Sequence, residues 1–157
     1  MSPLLHYDNV STVVEALMPA IMTFLERIAK RPHLAIRVLD PASTNEPVLL
    51  YAKDIGDTDN WEYDYSGIAM GKAKLCLREK CDSEVVKNER PFRYQPGDPP
   101  FSGGVYVQGL VVACSGVEGY FDQMFACWIA AGCRAIATHR LEKEVIAKDL
   151  DAVPERV

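Results

Sequence analysis

The sequence predicts an α+β domain in which an antiparallel sheet of four to five strands is covered by helices. Three observations lead there. Helical and strand-like hydrophobic periods alternate in the order helix, two strands, helix, loop, two strands, helix, and both strand pairs are joined by turn-rich segments that read as hairpins. The chain has 157 residues, the length of one ordinary domain. A chain of that size buries about 68–70% of its unfolded surface, so it needs neither metal nor disulfide to hold a core.

The first element is an amphipathic helix. Val14, Leu17, Met18, Ile21, Leu25 and Ile28 recur at helical spacing up to Pro32, and Thr12-Val-Val-Glu15 has the form of a capping box. Pro19 lies inside this pattern and must either kink the helix or open its main part. Leu34, Ile36 and Val38 then alternate with Ala35, Arg37 and Leu39, the period of a half-buried strand. After the turn-forming run Asp40-Pro-Ala-Ser-Thr-Asn-Glu-Pro47, residues 48–53 read as its hairpin partner, with an exposed edge.

Asp59-Asn-Trp-Glu62 resembles a second capping box. Trp61, Tyr65, Ile68, Ala69, Leu75 and Cys76 then line one side of a helix to about Lys80, with Lys72 on that same side. Gly67 and Gly71 on this helix each cost about 1 kcal/mol relative to Ala, which implies close approach by another element. Residues 83–87 add a short helical turn, and the Pro-rich stretch 88–102 is expected as a structureless lid or contact loop. Gly104-Val-Tyr-Val107, the Gln108-Gly109 turn and residues 110–115 form the second hairpin, its apolar last strand central to the sheet. Phe121, Met124, Phe125, Trp128, Gly132, Ala135 and Ile136 trace the buried stripe of a closing helix. The expected domain spans residues 1–148, followed by a charged tail at 149–157.

A formal net charge of −5 argues against nucleic acid and anionic membranes as partners. No run approaches the roughly 18 apolar residues of a membrane span, and the N-terminus lacks a signal peptide's basic start and apolar run, so the expected location is cytoplasmic. Five cysteines without a CxxC pair read as reduced core residues.

Chemistry concentrates at one corner. Cys114-Ser115-Gly116 before a helix invites comparison with a nucleophile elbow, but G-x-S-x-G fails at Ala113 and Val117. His6, His33 and His139 fall in separate regions, so no partner for Ser115 is visible. The same corner would expose backbone N–H groups to a carboxylate or phosphate. Asp122, close to the first helical turn, can satisfy those donors itself, and this structural role outweighs a ligand contact. Lys72 reads either as a buried ammonium poised for an anion or Schiff-base chemistry, or more commonly as a lysine that reaches the surface along its stem. Gly103-Gly104 allows either close ligand approach or a tight turn. The histidines and cysteines have no structural-zinc spacing, whereas a single axial ligand to haem iron requires only one residue at a pocket wall.

The stretch Gly103-Gly104-Val-Tyr-Val-Gln-Gly-Leu-Val-Val-Ala-Cys-Ser115-Gly116-Val-Glu-Gly-Tyr-Phe-Asp122 resembles the C-terminal signature of the GlcG/HbpS-like haem-binding (DUF336) family. Tyr51-Ala-Lys53 with Gly56 resembles the family's second strand and turn, and Asp64 with Lys72-Ala73 its central helix. The resemblance runs from about Leu17 to Ala137. The Arg-Met-Asp-Gly-Ala turn of many members is replaced by Lys53-Asp-Ile-Gly-Asp57, and the Pro-rich loop diverges. The resemblance implies a profilin-like or PAS-like α/β sandwich that self-associates, and a small ligand, with haem the candidate, held near Lys72, Gly103, Gly104, Ser115, Gly116 and Asp122. It implies no catalytic residue and no other metal. The leading expectation is therefore a self-associating, small-ligand-binding accessory or sensor domain. An enzyme of haem degradation or of small hydroxy- or oxo-acid metabolism, with Lys72 and Ser115 near the chemistry, and a purely structural oligomer are the alternatives.

Overall fold

The computed structural model describes residues 3–147, so the charged tail expected at 149–157 lies outside the described residues. Helix α1 (Tyr7–Thr23) leads through a π-helical turn at Phe24–Ile28 into strand β1 (Leu34–Leu39), which pairs antiparallel with β2 (Leu49–Ile55). Helices α2 (Tyr65–Glu79) and α3 (Ser83–Glu89) follow, then strands β3 (Gly104–Val107) and β4 (Leu110–Ser115), and finally α4 (Gly119–Arg140). The sheet is wholly antiparallel in the order β2-β1-β4-β3. The expected α+β architecture is thus present with four strands, and among the described residues no helix is long and apolar enough to cross a membrane.

Three layers result from alternation along the two central strands. Leu34, Ile36 and Val38 of β1 and Leu110, Val112 and Cys114 of β4 turn toward α1 and α4. Leu39, Val111 and Ala113 pack with Ala73, Cys76 and Leu77 of α2, and Ala35 packs with Tyr65 and Ala69 of the same helix. All six residues of β1 are buried, which corrects the half-buried reading. Arg37 gave β1 its amphipathic look, yet it is covered by α2 and bonded to Asp54 Oδ1 on β2 at 2.8 Å. At Gly132 a Cβ would meet Val13 Cγ1 at 2.5 Å, so α1 and α4 cross there with no room for a side chain.

Several local expectations are corrected. α1 starts at Tyr7, and Thr12 is interior, its hydroxyl donating to the Asp8 carbonyl at 2.9 Å. Pro19 stays inside α1 on its exposed side, where water can satisfy the acceptor it leaves unbonded. Asp64, not Asp59, caps α2 by accepting the Gly67 N–H at 3.0 Å; Trp61 stands before the helix and packs edge-on against Tyr65. On α4 the buried set is Phe125, Ala126, Ile129, Ala130 and Cys133, while Ala135 is exposed. All five cysteines are free, but Cys127 is exposed and Cys81 half-buried, so only Cys76, Cys114 and Cys133 are core residues.

The Pro-rich segment is a fastened strap. It contains a 3-10 turn at Pro91–Arg93, and Arg78 on α2 bonds Asp98 through two nitrogens at 2.8 and 3.2 Å. Arg93 bonds Glu79 at 2.7 and 3.1 Å. Gly71 is the expected point of close approach: a Cβ there would meet Pro99 Cγ at 2.7 Å. Gly67 instead leaves room for the capping carboxylate of Asp64.

Candidate functional site

β4 ends at Ser115, turns at Gly116 and enters α4 three residues later, with the middle of α2 facing this corner. Gly116 has φ of +156°, and a Cβ there would lie 2.5 Å from the His33 carbonyl. Its missing side chain lets the end of β4 lie against the start of β1. Gly103, at φ +134°, is closed in by the Cys114 carbonyl and Lys72 Nζ, each 2.6 Å from where its Cβ would stand. Gly104 would set a Cβ 2.6 Å from Cys76 Sγ. The two glycines therefore seat the start of β3 on α2 and do not line an opening.

Lys72 does not reach the surface. Its side chain is 1% exposed, and Nζ donates to the Cys114 carbonyl at 2.9 Å and to Asp122 Oδ2 at 3.3 Å. Asp122, 2% exposed, accepts the Val117 N–H through Oδ1 at 3.2 Å. One carboxylate thus satisfies a corner amide and holds α2 to α4, the structural role expected of it. Burial pushes the Asp122 carboxyl up to about 6 against the opposing pull of Lys72 and the Val117 N–H. Burial likewise pulls the Lys72 ammonium down, against Asp122. In both groups the loss of water outweighs the partner, as in many buried ion pairs.

Above the pair lies a cleft of about 590 Å³ lined by Lys72, Ser115, Gly116 and Asp122 together with Arg31, His33, Tyr63, Tyr65 and the strap residue Phe101. The proposed sites therefore divide: four line the cleft, and Gly103 and Gly104 pack behind it. His33 had been set apart from Ser115 in the sequence, but the antiparallel pairing of Ala35 with Ser115 brings the start of β1 to the end of β4. The His33 ring stacks on Tyr65 with centroids 4.6 Å apart and planes 18° from parallel. Its Nδ1 is buried and has no hydrogen-bond partner among the described residues. Glu118, the residue before α4, keeps Oε2 buried and unpartnered as well, while Oε1 stands 3.9 Å from Arg31. Unsatisfied buried polar atoms are rare in folded proteins and mark places where a further partner belongs.

No hydrogen bond joins Ser115 to His33 among the described residues, so no nucleophile–base pair is assembled. Among the same residues no group of three or more His, Cys, Asp or Glu side chains is placed to hold a metal ion.

No family model matches the sequence, and no curated protein matches it either. Solved structures do. The crystal structure of Ybr137w protein is similar with a TM-score of 0.59 at 16% identity, over 83% of this chain and 79% of that one. Klebsiella pneumoniae protein ORFY, of the DUF336 family, is similar with a TM-score of 0.52 at 17% identity, over 79% of this chain and 89% of that one. At these identities the likeness is one of fold: this chain has the α+β fold of the DUF336 protein ORFY.

Proposed function

We propose that this chain is a small-ligand-binding module of the GlcG/HbpS-like kind, with its ligand seated in the cleft above Lys72 and Asp122. The observation that carries the reading is His33, a residue of the cleft wall whose buried Nδ1 has no hydrogen-bond partner among the described residues. A ligand that offers a donor or an iron centre supplies what this atom lacks. For haem, His33 is the residue that would hold the iron, with Arg31 at the mouth for a propionate. Bound haem would supply a redox-active iron. Self-association belongs to the same proposal and is supported by Tyr63, Phe101 and Tyr120, apolar rings more than half exposed on and next to the cleft wall. The enzyme alternative gains nothing from the geometry, because Lys72 Nζ is committed to two acceptors and almost wholly covered.

Titrating the purified protein with hemin tests the reading. A saturable, sharp Soret band that weakens in His33→Ala is the expected result. A featureless, non-saturating response removes haem, and a band unchanged in His33→Ala removes the His33 assignment.

A further inference from the structure

A second cavity, of about 470 Å³, lies at the opposite end of β4. The six residues of β4 set it about 17 Å from the Ser-Gly corner. It forms where the Gln108 turn and the turn after β1 meet the second half of α4 and residues 3–5. Leu4, Leu5, Val107, Leu110 and Ala137 line it, together with the fully buried Cys133.

The wall made by residues 3–5 is built rather than frayed. Arg140 Nη1 donates to the carbonyls of Pro3 at 2.9 Å and Leu4 at 3.0 Å and to Asn9 Oδ1 at 3.0 Å. A segment so near a chain end is ordinarily the first to loosen, and here a guanidinium pins two successive carbonyls.

Three polar residues reach the cavity. Asp40 Oδ1 already accepts the Ala42 N–H at 2.8 Å, and Gln108 Oε1 already accepts from Arg134 Nη2 at 2.8 Å. Arg134 remains: its fork carries five donors, and among the described residues no carboxylate lies within ion-pair distance of it. An apolar cavity of this size with a few polar groups at its edge has the make-up of a ligand site. A guanidinium without a carboxylate sets the polarity of the ligand's head, and the nearby Asp40 disfavours a second negative charge.

We propose that this cavity is a second ligand site, taking an apolar monocarboxylate whose hydrocarbon tail lies among Leu4, Leu5 and Leu110 and whose carboxylate meets Arg134. The site shares no residue with the cleft and does not depend on the haem reading.

Calorimetric titration of the intact chain with hexanoate, octanoate and decanoate tests it. Saturable binding is expected, tightening roughly tenfold for each added pair of methylenes. Arg134→Gln should weaken decanoate about tenfold while leaving decanol unchanged, since only the carboxylate loses its partner. Ala137→Trp should abolish both by filling the cavity. Leu5→Trp fills it from the other wall if the first variant does not fold. Absence of saturable decanoate binding overturns the proposal, as does binding that survives both tryptophans or an Arg134→Gln effect equal for decanoate and decanol.

Discussion

Replacing Lys72 by Met keeps most of the stem's volume but removes the charge beneath the cleft, leaving Asp122 buried without a counter-charge. In the intact chain the Asp122 carboxyl is raised from 3.8 to about 6, which corresponds to about 3 kcal/mol relative to the same group in the unfolded chain. The sign follows from the direction. A carboxyl whose folded value is raised contributes its full stability where it is protonated in both states, below about 3.8; that stability drains away as the pH climbs and is gone above about 6. Above that point the contribution of Asp122 to the wild-type curve is flat. Lys72 is one of the groups that hold the Asp122 value down, so in Lys72→Met the carboxyl titrates higher still. The drain then continues past about pH 6 at about 1.4 kcal/mol per pH unit. The extra loss from Asp122 therefore grows as the pH rises above about 6, on top of the lost bond to the Cys114 carbonyl.

Urea unfolding of both proteins at intervals from about pH 5 to about pH 8 measures this, and subtracting the two curves cancels every group the substitution does not touch. The difference should be level at the acid end and widen above about pH 6. Lys72→Met/Asp122→Asn, which carries neither the carboxyl nor the ammonium, should lose the extra decline that Lys72→Met shows above about pH 6. A Lys72→Met difference that stays constant across the range would refute the claim that burial, opposed by Lys72, sets the ionisation of Asp122.

Two further outcomes follow from the packing. Gly104→Ala places a Cβ 2.6 Å from Cys76 Sγ and 3.1 Å from the Lys72 carbonyl, and an overpacked site of this kind should cost about 1–3 kcal/mol, read from the denaturation midpoint. Arg93 and Arg78 hold the Glu79 carboxyl down to about 2 from 4.5, so its stabilising contribution is present above about 4.5 and disappears as the pH falls through about 2. Glu79→Gln should flatten that acid limb and expose the strap to limited proteolysis at neutral pH, and an unchanged cleavage rate would show that the strap is not held by this latch.

What could be read from the sequence follows the range of the interaction responsible. The β3–β4 hairpin was legible because its turn is local: Gln108 and Gly109 both take positive φ, at 52° and 95°, and a Gln-Gly pair between apolar runs signals that geometry. The start of α2 was misread because Asp59-Asn-Trp-Glu62 and the segment from Asp64 to Gly67 both offer an acidic cap. The choice is made by Trp61, whose packing on Tyr65 keeps it ahead of the helix. The burial of β1 was misread because Arg37 resembles a solvent-facing residue until α2 is placed over it and Asp54 beside it. His33 was missed for a similar reason. Its position two residues before Ala35 carries no signal by itself, and it acquires one only when β1 is known to pair with β4. The corner around Ser115 and Asp122 was legible because strand, Ser-Gly turn and helix start all fall within a few residues, whereas the cavity at the other end of β4 is assembled from four separate stretches of chain.

The corner also shows how a structural explanation and a functional one can be separated when they share residues. Holding α2 to α4 does not require charge: an uncharged pair of similar volume that kept an acceptor for the Val117 N–H would fill the same space without stripping water from an ammonium and a carboxylate. Yet the backbone is shaped around the charge. Gly103 lies so close to Lys72 Nζ that a methyl group would stand 2.6 Å from it, and the Cys114 carbonyl is turned to accept from that same nitrogen. Beside the pair, the cleft wall carries a histidine nitrogen without a partner, a second local rule broken within the same small volume. Buried unpartnered atoms also occur outside the cleft lining, at Trp61 and Gln123, but here one joins a buried ion pair beside a concave lining, the combination a binding site leaves in a fold. That clustering gives the cleft its functional reading, and it also makes the reading separable from stability: Lys72→Met/Asp122→Asn, which keeps an acceptor for the Val117 N–H, should cost less than Lys72→Met alone at neutral pH, while His33→Ala should cost about 0.5–1.5 kcal/mol for the lost stacking on Tyr65 and abolish the ligand response.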